Sequence, residues 1–260
     1  MQKRRLGADI DVSVLGLGTV KFGRNEGLKY PDKFALPSDT DILHLLNTAK
    51  ELGINLLDTA PAYGTSEERL GHLLQGKRKD WVISTKVGEE FINGESHFDF
   101  TSSSVIKTIE RSLQRLKTDY LDCVLVHSNG DDVRIIQEEN IFAVLADLKQ
   151  AGKIRSFGMS TKTIAGGLLA VEYSDAVMVT LNPAYTEERD VITAAHKKQK
   201  AVFIKKAFAS GHLHALPSSD PITSAFQCVF AEPGVTSVII GTINPEHLRQ
   251  NVEKLAAILS

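Results

Sequence analysis

The sequence predicts an α/β protein folded as a (β/α)8 TIM barrel with a short N-terminal β-hairpin, and three observations carry that expectation. Eight short runs, nearly continuous in Val, Ile and Leu, alternate with amphipathic stretches along the 260-residue chain. Such runs are expected of parallel strands covered on both faces. Candidate chemical residues (Asp58, Lys86, His127, Ser160 and Asn182) fall at the C-terminal ends of five different runs. A closed barrel aims all its strand ends at one mouth, whereas an open doubly wound sheet gathers its site at one switch point. No linker, repeat or low-complexity segment interrupts the pattern, so residues 1–260 read as one barrel domain.

Taken in order, residues 1–12 suit a hairpin ahead of the barrel. The strand runs are VLGLG (14–18), INLLD (54–58), WVISTKV (81–87), CVLVHS (123–128), SFGMS (156–160), AVMVTLN (176–182), VFIKKAF (202–208) and SVIIGT (237–242). Between them DILHLLNTAKELG, SVIKTIERSLQRL, ENIFAVLADLKQAGK and NPEHLRQNVEKLAAIL have helical periodicity. Ser38 and Ser66 are expected as N-caps, and Gly53 and Gly152 stand just past helix ends. Residues 23–37, GRNEGLKYPDKFALP, form a long loop after the first barrel strand, able to shape the mouth. The basic run HKKQK (196–200) ends a helix, where positive charge suits the helix dipole.

Composition narrows the function classes. Hydrophobic residues at 42% and charged residues at 24% are ordinary for a globular protein, and the formal net charge of -2 gives no sign of a nucleic-acid or membrane partner. Two cysteines, Cys123 and Cys228, are too few for a disulfide scaffold or a metal cluster. The basic start MQKRRLGADIDV lacks an apolar core, and no apolar segment is long enough to span a bilayer, so a cytoplasmic location is expected. GLGTVKFG lacks the G-x-G-x-x-G spacing of a dinucleotide fingerprint, and His212 and His214 have no evident carboxylate or thiol partner, so no metal is expected.

The stretch LLDTAPAYGTSEERLG (56–71) places Asp58 at a strand mouth and Tyr63 five residues later. Barrel closure would bring both to Lys86 and His127. A phenol titrates near pH 10, so it exchanges protons poorly near neutrality until its surroundings act on it. An ammonium nearby favours the phenolate, and a carboxylate holds that ammonium charged and oriented. An imidazole N–H could then hydrogen-bond a carbonyl. Such a set polarises a carbonyl and supplies one proton, and lacks only a hydride source.

Together LLDTAPAYG, STKVG, LVHS, GKIRSFGMST and VIIGTINPEHLRQN resemble the aldo-keto reductases in order and spacing through nearly the whole chain. The resemblance implies a barrel that binds an extended nicotinamide cofactor, NADPH or else NADH, and a small carbonyl substrate. It gives Tyr63 as general acid, Lys86 lowering its pKa, Asp58 paired with Lys86, and His127 orienting the carbonyl. Gly18 and Thr19 would lie beneath the nicotinamide ribose, Ser160 and Asn182 at the carboxamide, Gly241 and Thr242 at the phosphates, and Gln250 and Asn251 at the adenine. Lys205 stands where many relatives stack an aromatic ring, and is expected to reach a cofactor phosphate or to disfavour the oxidised ring. His247 stands where many relatives carry an arginine for the 2′-phosphate. The family also implies a monomer. Its longer C-terminal loop has no counterpart after the last strand, so an open mouth is expected, shaped by residues 20–37, Phe91 and Ser128–Asn129.

The expected activity is NAD(P)H-dependent reduction of aldehydes or ketones to alcohols. A cofactor-sensing barrel with little turnover is the alternative, but it has no need of a tuned tyrosine. A different barrel enzyme, such as an aldolase, would need Lys86 as a Schiff-base nucleophile.

Overall fold

The computed structural model describes residues 1–7, 9–31, 33–216 and 218–260. Ala8 of the expected hairpin and Asp32 of the expected long loop lie outside the described residues. The chain opens with an antiparallel hairpin, β1 (Lys3–Gly7) and β2 (Ile10–Ser13), followed by β3 (Leu15–Gly18), a single helical turn α1 (Val20–Gly23) and α2 (Asp39–Glu51). Next come β4 (Leu56–Asp58), a 3-10 turn at Pro61–Tyr63, α3 (Ser66–Leu73) and β5 (Val82–Val87). An antiparallel hairpin, β6 (Glu89–Ile92) and β7 (Glu95–Phe98), precedes α4 (Ser102–Leu116). The second half contains β8 (Cys123–His127), α5 (Asp132–Glu138), α6 (Ile141–Gln150), β9 (Phe157–Ser160), α7 (Ile164–Tyr173) and β10 (Ala176–Thr180). It ends with α8 (Arg189–Lys197), β11 (Ala201–Lys205), α9 (Pro221–Phe230), β12 (Ser237–Ile240) and α10 (Pro245–Leu259).

Strands β3, β4, β5, β8, β9, β10, β11 and β12 close into one barrel of parallel pairs, sealed where Ile239 of β12 pairs with Gly16 of β3. The eight expected strands are therefore the eight barrel strands. Side chains alternate across a strand, which divides the apolar residues into two cores. Leu57, Ile83, Val124, Val126, Met159, Val177, Val202 and Ile204 point outward and pack beneath the helices. Leu56, Val82, Cys123, Leu125, Ala176, Met178, Ala201 and Phe203 point inward, and Leu6, Ile10 and Val12 of the N-terminal hairpin join this inner cluster. One alternation further on, the same parity turns Asp58, Lys86, His127, Ser160 and Lys205 into the barrel at its C-terminal rim.

Local signals account for most boundaries. Ser38 caps α2 through a capping box with Asp41, and Gly53 and Gly152 take positive φ just past their helices, as expected. Ser66 is not a cap. Thr65 holds that position, and the Ser66 hydroxyl turns inward to donate to the Thr19 carbonyl. Asn182 lies two residues beyond β10, in a tight bridge with Tyr185. The β6–β7 hairpin turns on Asn93-Gly94, both at positive φ, a local hairpin signal that the apolar-run reading passes over. Among the described residues no helix is long and apolar enough to cross a membrane.

Candidate active site

Lys86 and Asp58 form the centre of the barrel mouth. Lys86 Nζ donates to both carboxylate oxygens of Asp58, at 2.7 and 2.8 Å, and to the Thr59 carbonyl at 2.9 Å. Both side chains are buried. Burial works against the Lys86 charge, but the carboxylate and Tyr63 outweigh it, and the net shift is upward. An ammonium has three protons to donate, and here three oxygens accept them.

Tyr63 reaches this pair from the 3-10 turn after β4. Gly64 makes the turn possible: its φ of 61° is left-handed, and a Cβ there would overlap the Gly23 carbonyl, onto which the turn is folded. The Tyr63 ring centroid lies 4.9 Å from Lys86 Nζ, and the His127 ring meets it edge-on with centroids 6.4 Å apart. Lys86 pulls the phenol pKa down, as expected from the sequence. Burial is the larger effect, however, and pushes it up to about 12, although the ring keeps a solvent-accessible edge. The phenol thus stays protonated across the neutral range.

Glu89, which the sequence reading did not single out, stands behind His127. Its Oε2 lies 2.6 Å from His127 Nδ1, off the line of a well-aligned hydrogen bond, while Oε1 accepts from the Ser96 hydroxyl at 2.6 Å. Burial alone would raise the Glu89 pKa, but His127, Ser96 and Arg24 overcome it and hold the carboxylate down at about 2. Burial pushes His127 below its ordinary value against the opposing pull of Glu89. The β6–β7 hairpin brings Glu89 there, so this partner became visible only with the tertiary structure.

The mouth holds three adjoining cavities. A central one of 210 Å³ is lined by Gly18, Asp58, Tyr63, Lys86, His127, Ser160 and Lys205. On one side it meets a groove of 580 Å³ lined by Gly241, Thr242, His247, Gln250 and Asn251 together with Lys21, Tyr30 and Lys206. On the other it meets a cavity of 490 Å³ that shares His127, Ser160, Lys205 and Lys206 and adds Thr161, Asn182 and Glu188. Tyr30 lines both the groove and the central cavity, and the Lys29 carbonyl lies 2.9 Å from His212 Nε2. The long loop expected to shape the mouth therefore spans it. Phe91 packs beneath the Arg24 guanidinium, 3.3 Å from the ring centroid, and carries that loop from the hairpin side.

Three residues expected at the cofactor are already engaged by protein groups. Thr19 is fully buried, with its hydroxyl donating to the Asp58 carbonyl at 3.0 Å and paired with Ser66 Oγ at 2.8 Å. The Asn182 side chain is engaged by backbone, its Nδ2 donating to the Lys206 carbonyl and its Oδ1 accepting from Ala184 N–H. Lys205 does not line the groove. Its Nζ is held inside by the Ser160 hydroxyl at 2.9 Å and the Thr161 carbonyl at 2.6 Å, and Lys206 is the lysine that faces the groove. Sequence spacing could not separate these adjacent lysines, because strand parity reverses between them and β11 ends at Lys205.

The groove suits a dinucleotide phosphate. It is bounded by the N-terminal turn of the fifteen-residue helix α10, whose dipole favours anions, although Pro245 has no N–H and the Asn244 side chain caps that of Glu246. Lys21, Lys206 and His247 line it, and among its described lining residues none is acidic.

With this geometry, the comparison with known proteins is decisive. A family model described as "Aldo/keto reductase family" matches residues 14–218. The chain belongs to the aldo-keto reductases. It is 47% identical to PA4992 of Pseudomonas aeruginosa, a candidate aldo-keto reductase of known crystal structure, with a TM-score of 0.91 over 99% of this chain and 96% of that one. It is 29% identical to the uncharacterized oxidoreductase YqkF of Bacillus subtilis, over 97% of this chain and 90% of that protein. The holo form of aldo-keto reductase AKR11C1 from Bacillus halodurans shares the fold, with a TM-score of 0.80 at 24% identity over 98% of this chain and 91% of that one. This aldo-keto reductase is accordingly an NAD(P)H-dependent oxidoreductase acting on carbonyl chemistry.

Two measurements test the site. Asp58→Ala strands the Lys86 ammonium in the barrel and should cost about 3–5 kcal/mol in urea unfolding, with much of the loss recovered in Asp58→Ala/Lys86→Met. An equal loss in both variants would deny the pair its central place. The Glu89 carboxylate is depressed in the folded state. Its contribution to stability is therefore present above its ordinary value of 4.5 and lost as pH falls toward about 2. Wild type should lose more stability than Glu89→Gln between about pH 5 and about pH 3, and parallel losses would contradict the pairing.

Proposed function

We propose that this protein reduces aldehydes or ketones to alcohols with NADPH, and that Tyr63 is the proton donor. The observation that carries the reading is the protonated phenol standing over a buried, fully bonded ammonium–carboxylate pair. The nicotinamide cofactor, when bound, supplies the hydride. The protein's part is to bind the carbonyl in the central cavity, direct its oxygen toward the Tyr63 hydroxyl, and protonate that oxygen as negative charge develops. A phenol with a pKa of about 12 is always loaded for that donation. Lys86 stabilises the phenolate left behind, and Asp58 keeps Lys86 charged.

His127 contributes through Nε2, since Nδ1 faces Glu89. With its proton on Nδ1 the neutral ring offers an acceptor at Nε2, and donation to a carbonyl oxygen calls for the imidazolium, which Glu89 favours but burial, the larger effect, opposes. The proposed cofactor path runs from the central cavity through the groove beside α10, with Gly18 and Ser160 at the inner end, and Gly241, Thr242, Gln250 and Asn251 farther out. Preference for NADPH rests on the groove's charge. Lys21, Lys206 and His247 suit a 2′-phosphate, and among the described lining residues no carboxylate is present for a ribose 2′-hydroxyl.

Tyr63→Phe should lower kcat with a broad aldehyde panel by about 10²–10⁴-fold while the NADPH Kd from fluorescence titration stays close to wild type. Retained turnover would remove Tyr63 from the mechanism. In the same titrations NADPH should bind at least about tenfold more tightly than NADH, or about 1.4 kcal/mol. Equal affinities would show that the basic groove does not read the phosphate.

A further inference from the structure

The mouth contains a buried lysine, Lys86, and a half-buried one, Lys205, and their surroundings differ in a way that separates their chemistry. Lys86 has three acceptors, two of them carboxylate oxygens. Lys205 Nζ has two, a hydroxyl and a carbonyl, and it makes no ion pair among the described residues. Two neutral acceptors match the two N–H groups of an uncharged amine and leave its lone pair unused.

We propose that Lys205 is a second reactive centre, an amine that condenses reversibly with an aldehyde in the barrel mouth to form an imine. Lys205 lines the central cavity together with Tyr63 and His127, so a carbonyl held there is within the space that all three groups share. The amine lone pair forms a C–N bond to the carbonyl carbon, and the C=O π pair moves to oxygen, which takes up a proton. The carbinolamine then breaks its C–O bond. Nitrogen gives up its remaining proton, and one water leaves for each imine formed. No electrons are exchanged with a third partner, so the step needs nothing beyond the amine, the aldehyde and a proton carrier.

The proton carrier is at hand. Glu188 lines the adjoining cavity with Lys205, is 2% exposed, and has one oxygen accepting from Thr180 N–H at 2.7 Å while Oε1 has no hydrogen-bond partner. Burial raises its pKa, which favours the carboxylic acid able to protonate a departing hydroxyl. Burial likewise brings Lys205 down to about 7; Glu188 and Asp132 oppose this effect, and Lys206 and Lys162 add to it. A surface lysine near pKa 10.4 is uncharged in only about one molecule in 2,500 at pH 7. The Lys86 ammonium, held by carboxylate on two of its three protons, is unsuited to the role, so a Schiff-base chemistry in this mouth belongs to Lys205.

The test is reductive trapping of wild type with propanal and sodium cyanoborohydride near neutral pH, without nicotinamide cofactor, followed by peptide mass mapping. A propyl adduct is expected at Lys205 at least tenfold above any other lysine. It should disappear in Lys205→Arg and persist in Tyr63→Phe. Labelling spread evenly over surface lysines, or an unmodified Lys205 peptide, would overturn the proposal. Because wild type is mapped directly, the result does not depend on how well a variant folds. Turnover with NADPH is measured separately, so a failed adduct leaves the reductase reading standing, and an adduct without turnover leaves the amine chemistry standing.

Discussion

Everything at the mouth of this barrel is arranged around one buried ion pair. Lys86 and Asp58 come from neighbouring strands and point inward at the same end. Separately, each would be a buried charge costing several kcal/mol. Together, with the Thr59 carbonyl taking the third proton, they make a satisfied unit in a low-dielectric setting. That unit fixes the ends of β4 and β5 relative to each other and places a permanent positive charge beside a phenol.

The phenol shows how two opposing effects divide the work. Burial raises the Tyr63 pKa and Lys86 lowers it, and burial prevails. For the proposed proton donor this balance is useful. The acid stays protonated across the neutral range, while the ammonium that would lower the cost of losing the proton stays in place. His127 sits between similar opposing forces, with burial against charge and Glu89 in favour. The mouth thus sets a phenol beside a cation and an imidazole beside an anion.

The same rim carries a second lysine with opposite character. Strand parity turns both Lys86 and Lys205 inward, but only one meets a carboxylate. The difference lies in what faces each lysine at that level: Asp58 from the adjacent strand β4 beside Lys86, and Ser160 and Thr161 at the end of β9, two strands away, beside Lys205. Identical side chains therefore become a carboxylate-bound cation and an amine whose pKa burial brings down to about 7.

Much of this was legible in the sequence. Eight apolar runs fixed the strand count, because strands covered on both faces cannot alternate in polarity, and Ser38, Gly53 and Gly152 fixed helix ends through local hydrogen bonding and backbone freedom. Asp58, Tyr63, Lys86 and His127 were legible because each stands at or just after a strand end, and barrel closure requires such ends to converge. What only the tertiary structure decided were the relations that no local spacing encodes. The β6–β7 hairpin sets Glu89 against His127, the Gly64 turn folds Tyr63 over Lys86, and β11 stops so that Lys205 faces inward and Lys206 faces the groove. Thr19 and Asn182 turned to backbone partners for the same reason. A side chain's partner depends on which strand lies beside it and at what register, and register is set by closure of the whole barrel.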